Sequence, residues 1–213
     1  MSEFTLVIGN KNYSSWSMRP WLVMRHFGIP FDEIVIPLGR PDSKTRILEH
    51  SPSGKVPVLK HKGILVWESV AILEYLADVF PDKGLWPPDI RARAAARAVS
   101  AQMHAGFVDM RKNFPMNVRA RKPDKIRTPE AMKDVEEVIR LWEDCRKEFG
   151  GGGDFLFGEF SIADGMYAPV IWRFRTYGIE LNGAARKYSE AMLDLPAMKE
   201  WKDLADKEPF AMS

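Results

Sequence analysis

The chain reads as an α/β domain with element order βαβαββα followed by an all-α domain, and three observations predict this. Up to about Phe80, short strand-like apolar segments alternate with helix-like ones. After about Ile90 every periodic segment has helical spacing. Between them, Pro81-Asp82-Lys83-Gly84 supplies a stop and Leu85-Trp86-Pro87-Pro88 a stiff, partly apolar connector. The expected boundaries are a first domain at 1–81, a linker at 82–90 and a helical domain at 91–213. With 213 residues the chain can bury a sizeable core.

Phe4–Ile8 is apolar enough for a central strand. It leads into Asn12-Tyr13-Ser14-Ser15-Trp16-Ser17-Met18-Arg19-Pro20-Trp21-Leu22, a turn in which three serines open a helix. A serine here caps the helix, while other hydroxyls and fresh backbone N–H groups face whatever binds above the strand's end. Residues 31–38 give a second strand and 42–50 a short, irregular helix. Residues 56–60 and Ile64–Trp67 form a hairpin turning near His61-Lys62-Gly63. Residues 69–80 then carry Val70, Ile72, Leu73, Leu76, Ala77 and Phe80 on one face, wide enough to pack on a sheet.

The second half opens with a long Ala/Arg helix from about Ile90, expected to be interrupted near Pro115, and then a basic loop over 119–129. Arg91, Arg93 and Arg97 are best taken as a solvated face, because no aromatic residues interleave with them. Residues 130–149 space Val135, Val138, Leu141, Trp142, Cys145 and Phe149 along one face, which makes Cys145 core filler. Gly150-Gly151-Gly152-Gly153 ends that helix without a following phosphate-binding lysine. Ser161-Ile162-Ala163-Asp164 has capping-box spacing for a helix running toward Tyr177. Two more helices fit 184–194 and Pro196–Lys207.

Composition removes several function classes. Hydrophobic residues at 46% and charged residues at 28% are ordinary for a globular protein, and a formal net charge of +2 gives no ground for nucleic-acid binding. The four histidines, His26, His50, His61 and His104, and the single Cys145 offer no zinc-ligand spacing, so no metal is expected. One cysteine allows no intrachain disulfide, and Met1-Ser2-Glu3-Phe4 does not begin a basic-then-apolar leader. The expectation is a cytoplasmic protein with no membrane span, as no apolar run approaches ~20 residues.

Three further motifs, Ser53-Gly54-Lys55-Val56-Pro57-Val58-Leu59, Glu68-Ser69-Val70-Ala71-Ile72-Leu73-Glu74-Tyr75-Leu76 and Ser161-Ile162-Ala163-Asp164, lie in one order across nearly the whole chain. With the element order, this resembles the cytosolic glutathione S-transferase family. The resemblance implies a thioredoxin-like first domain, glutathione as co-substrate, a homodimer and a cis Val56–Pro57 bond. It implies that Lys55, Val56, Pro57, Glu68 and Ser69 hold glutathione, with the Val56 main chain pairing to the peptide as an added strand. Glu68 and Ser69 offer an acidic acceptor, a hydroxyl and backbone donors to the γ-glutamyl end.

The chemistry requires a thiolate. A free thiol has a pKa of about 8.5, and each unit of lowering needs about 1.4 kcal/mol of preferential stabilisation. A serine hydroxyl can donate to the sulfur while the helix N-terminus adds positive potential. The run Ser14-Ser15-Trp16-Ser17 is similar to the Ser-Ser-Cys-Ser motif of the zeta class. That match makes Ser14 the first expected thiolate donor and Ser15 the second, ahead of neighbouring Tyr13. Trp16 stands where the zeta class has cysteine, which weakens an isomerase assignment and excludes a Cys-x-x-Cys disulfide mechanism. Met103, His104, Phe107, Met110 and Arg111, on the first long helix of the second half, are expected to line the electrophile pocket. The expected function is attack of the glutathione thiolate on a small, hydrophobic electrophile. Two alternatives stand beside it: a glutathione-dependent cis-trans isomerase like maleylacetoacetate isomerase, and a noncatalytic glutathione-binding or scaffold protein of the same fold.

Overall fold

The computed structural model describes residues 2–209. The first half holds β1 (Phe4–Ile8), α1 (Ser15–His26), β2 (Asp32–Val35), α2 (Ser43–Leu48), β3 (Val58–His61), β4 (Ile64–Trp67) and α3 (Ser69–Val79). The second half holds α4 (Ile90–Ala105), α5 (Val108–Asn113), α6 (Pro129–Phe149), α7 (Ile162–Tyr177), α8 (Gly183–Asp194) and α9 (Pro196–Lys207). This is a thioredoxin-like βαβαββα domain followed by an all-α domain.

The sheet order is β2-β1-β3-β4, with β1 parallel to β2 and antiparallel to β3, and β3 antiparallel to β4. Leu6 lies opposite Leu59, and Leu59 opposite Val66. Because strand side chains alternate, β1 buries both faces. Leu6 and Ile8 join the main core, whereas Val7 packs with Ile36, Ile47 and Val58 in a smaller cluster. The β2 strand stops at Val35, short of the expected Leu38; Ile36 still donates to Ile8, but Pro37 has no N–H with which to continue. The third strand starts at Val58 rather than Val56, since the Val56–Pro57 peptide bond is cis and turns the chain just before it.

Helix α1 buries Met18, Trp21, Leu22, Val23 and Met24 completely. Each such side chain contributes on the order of 1.5–3 kcal/mol by leaving water. It packs on α3 within the first half and on α7 and α9 of the second, so one hydrophobic core runs through both halves. Helix α7 is buried on every side except at Arg175, as expected for a helix apolar nearly all round. At the α1–α7 crossing a Cβ on Gly165 would lie 2.4 Å from Val23 Cγ2, so glycine permits the approach.

The capping box of α7 forms as the spacing predicts. The Asp164 carboxylate accepts from Ser161 N at 2.8 Å and from Leu156 N at 3.1 Å. Cys145 is buried among core side chains, and burial, with Asp164 second, pushes its thiol up to about 12, too high for a thiolate at neutral pH. One helix boundary differs from expectation. The Ala/Arg helix breaks at Gly106-Phe107, not near Pro115: Phe107 takes a left-handed φ of +54°, and the chain restarts as α5.

Candidate functional site

The site begins at the N-terminus of α1. Ser14 caps the helix; its Oγ accepts from Ser17 N at 3.4 Å and donates to Ser17 Oγ at 2.7 Å. Ser17 Oγ in turn accepts from Gly9 N at 3.0 Å, joining the cap to the end of β1. Ser15 Oγ accepts from Arg173 Nη2, on α7, at 3.3 Å. The loop before Ser14 is held from the far half of the chain. The Glu208 carboxylate takes Lys11 N at 2.6 Å and Asn12 N at 3.1 Å, while Asn12 Oδ1 takes Arg119 N at 2.9 Å.

A cavity of about 360 Å³ opens beside this turn, lined by Trp16, Lys55, Val56, Pro57, Glu68, Ser69, His104 and Arg111. That volume is in the range of small-ligand clefts. The Val56 N–H and C=O make no main-chain hydrogen bond among the described residues, leaving both free for a ligand. Glu68 sits at a φ of +67°, a left-handed conformation costing a non-glycine residue about 1–3 kcal/mol. That geometry starts α3 at Ser69, whose Oγ is fully buried and has no hydrogen-bond partner in the structure.

The third wall comes from the helical half. His104 lies edge-on to Trp16 with ring centroids 5.2 Å apart, and its Nε2 is 3.8 Å from Glu68 Oε2. Burial and then the charge of Arg19 lower the His104 pKa below its ordinary 6.5, against the pull of Glu68, so the ring is neutral at pH 7. The Arg111 guanidinium lies 5.3 Å from the Trp16 ring centroid, and its Nη1 donates to the His104 carbonyl at 3.3 Å. The break at Gly106-Phe107 is what brings Arg111 back beside His104.

Seven of the anticipated residues therefore share one cavity: Lys55, Val56, Pro57, Glu68, Ser69, His104 and Arg111. Ser14 and Ser15 lie off its wall, nearly buried, on the turn that carries Trp16. Met103, Phe107 and Met110 are in the hydrophobic core and do not line the cavity: Met103 continues the buried stripe of α4 with Ala92, Ala96 and Ser100, and Phe107 and Met110 are buried at and after the kink. Four residues escaped the sequence reading: Trp16 as a wall, Arg19 and Arg173 behind it, and Glu208 as the loop's anchor. Arg19, three positions after Trp16, had a helical-spacing signal; Arg173 and Glu208 are distant in sequence and had none. Among the described residues no group of His, Cys, Asp or Glu is arranged to hold a metal ion.

The fold defines the class first: a thioredoxin-like domain joined to a helical domain, with a cleft between the α1 turn, the cis-proline turn, the α3 start and the α4–α5 kink. Comparison with known proteins is consistent at each level. The family model for the glutathione S-transferase N-terminal domain matches residues 13–79, and that for the glutathione S-transferase C-terminal domain matches 117–203. The probable maleylacetoacetate isomerase of Caenorhabditis elegans is 26% identical over 86% of this chain and 85% of its own. Mouse glutathione S-transferase omega-1 is 27% identical over 99% of this chain and 80% of its own. A glutathione transferase homolog from Burkholderia, solved with bound glutathione, superposes with a TM-score of 0.73 at 22% identity, over 96% of this chain and 99% of that one. The two family matches together span most of the chain, which belongs to the glutathione S-transferase superfamily.

Proposed function

We propose that this chain is a glutathione transferase that binds glutathione in the cleft and activates its thiol for attack on a small electrophile. The observation that carries the reading is Ser69: a fully buried hydroxyl with no partner, at the N-terminus of α3 and on the cavity wall. Helix N-termini favour anions, and a buried hydroxyl left unpaired costs about 1–3 kcal/mol, so this corner fits the γ-glutamyl carboxylate. Glu68 beside it accepts from the ligand's amine, and the free Val56 main chain pairs with its cysteinyl backbone. Lys55 neutralises a second carboxylate.

Ser14 is the thiolate donor in this reading, with Ser15 second. The Ser14 hydroxyl hydrogen now goes to Ser17 Oγ, so binding requires it to rotate toward the sulfur, leaving Ser17 bonded to Gly9. The relatives named as maleylacetoacetate isomerases keep isomerisation as the second reaction; it returns glutathione unconsumed, whereas conjugation depletes it. A noncatalytic binding protein would hold glutathione as the thiol. We also assign a homodimer, through the edge strand β4, where Ile64 and Trp67 are 48% and 42% exposed; sedimentation of the native protein and Trp67→Glu tests it.

The decisive experiment is an ultraviolet titration of the bound-glutathione thiolate in native protein and Ser14→Ala. A thiol pKa lowered in the native protein and returned toward about 8.5 in the variant is expected. Glutathione bound wholly as thiol at neutral pH would refute thiolate activation.

A further inference from the structure

The basic corner of the cleft asks for an anion other than those assigned above. Trp16 is flanked by two guanidinium groups: Arg19 lies 4.1 Å from its ring centroid and Arg111 5.3 Å. Arg173 completes the group from α7, where its Nε donates to the Phe114 carbonyl at 2.9 Å and its Nη2 to Ser15 Oγ. Among the described residues, no carboxylate lies within ion-pair distance of Arg19, Arg111 or Arg173. Both terminal nitrogens of fully buried Arg19, and Arg173 Nη1, have no hydrogen-bond partner in the structure.

Arginine stays charged at any physiological pH, so buried Arg19 and Arg173 repel each other and the partly exposed Arg111, whose charge Asp134 offsets only in part. Burial and the mutual charges of this group hold the Arg19 pKa well below its ordinary value. Such a cluster is costly unless an anion completes it. Phe, Leu or Met would pack this space without that cost. Trp16 supplies a planar apolar wall next to the charges, suited to a flat conjugated or aromatic body.

Building on the glutathione reading, we propose that the second ligand of this cleft is an anion, a carboxylate on a planar apolar body, which stacks on Trp16 and pairs with Arg111. Arg19 and Arg173 act from behind the ring, adding positive potential. The acidic corner at Glu68 and the basic corner at Arg111 then take different molecules. This replaces a hydrophobic second substrate with a charged one, and the core positions of Met103 and Phe107 agree with that.

The test uses unreactive probes, 4-nitrobenzoate and its neutral methyl ester, titrated into the native protein with and without saturating glutathione. Quenching of tryptophan fluorescence reports binding at Trp16, the only tryptophan on the cavity wall among the described residues, with Trp16→Phe as the control. The acid should bind at least about ten-fold more tightly than the ester, as one charge-assisted arginine contact provides. Arg111→Met should erase that preference and Arg111→Lys should keep part of it; Arg111 is half-exposed, and a thermal melt confirms that each variant folds. Equal affinity for acid and ester, or a preference unchanged in Arg111→Met, overturns the proposal. Displacement of the acid by glutathione also overturns it, since the arginines would then hold glutathione's own carboxylate. An Arg111-dependent acid preference in a protein that binds no glutathione supports the anion subsite and sinks the glutathione reading alone.

Discussion

Glu208 lies just after the last helix, yet its carboxylate holds the two backbone N–H groups of Lys11 and Asn12, which lead directly into Ser14. Glu208→Ala removes both bonds and leaves the Glu208 carbonyl, which accepts from Arg119 Nη1 at 3.0 Å, in place. Hydrogen bonds to a charged acceptor are worth about 1.5–3 kcal/mol each. Glu208 is only half-buried and the freed N–H groups can bind water, so the net loss for the pair is roughly 2 kcal/mol. That raises the local opening equilibrium of the loop about 30-fold. Amide hydrogen exchange at Lys11 and Asn12 should accelerate by this factor, while the α7 amides keep their protection. Glu208→Gln, with one amide oxygen left to accept, should fall between. Unchanged exchange at both amides in Glu208→Ala would show that the loop is held by Asn12 and its neighbours alone. On the proposed function, the same variant should raise the bound-thiol pKa without abolishing glutathione binding.

The remaining predictions concern α7, at its crossing with α1 and at its N-terminal cap. Gly165→Ala places a methyl against Val23 and should destabilise the protein by about 1–3 kcal/mol in urea unfolding, with Val23→Ala restoring part of the loss; additive losses would argue against that contact. Asp164→Ala leaves Leu156 N and Ser161 N unpaired inside the protein and should cost about 3–5 kcal/mol by the same assay; a loss under about 1 kcal/mol would refute the buried-box account. The Asp164 carboxyl is pushed up from 3.8 to about 6 by burial, opposed by its backbone hydrogen bonds. A raised folded-state value means its proton-linked stability is complete below the unfolded value and lost as pH rises through the folded one. Native stability measured against Asp164→Asn should therefore decline between about pH 4 and 6 and then level; a flat difference would show that the group does not titrate there.

Local chemistry made much of this protein legible. The alternation of apolar strands and serine- or proline-bounded helices set the element order, because side-chain period and turn residues act over a few positions. Ser161 and Asp164 announced their cap for the same reason. The cavity residues Lys55 to Pro57, Glu68 and Ser69 were legible through the resemblance of their two motifs to the glutathione S-transferase family, with the open backbone of a helix start at Glu68 and Ser69 beside it. Other features were decided by tertiary structure alone. The kink at Gly106-Phe107 brought Arg111 to the cleft while Phe107 and Met110 stayed in the core, since a left-handed residue inside a helical pattern leaves no periodic trace. Arg173 meets Ser15, and Glu208 meets Lys11, only because α1 is clasped by the helical half. Sequence thus determined which elements form and where their open ends lie; the packing of α1 against α7 and α9 decided which distant charges meet at those ends, because electrostatic contacts depend on distance in space and not along the chain.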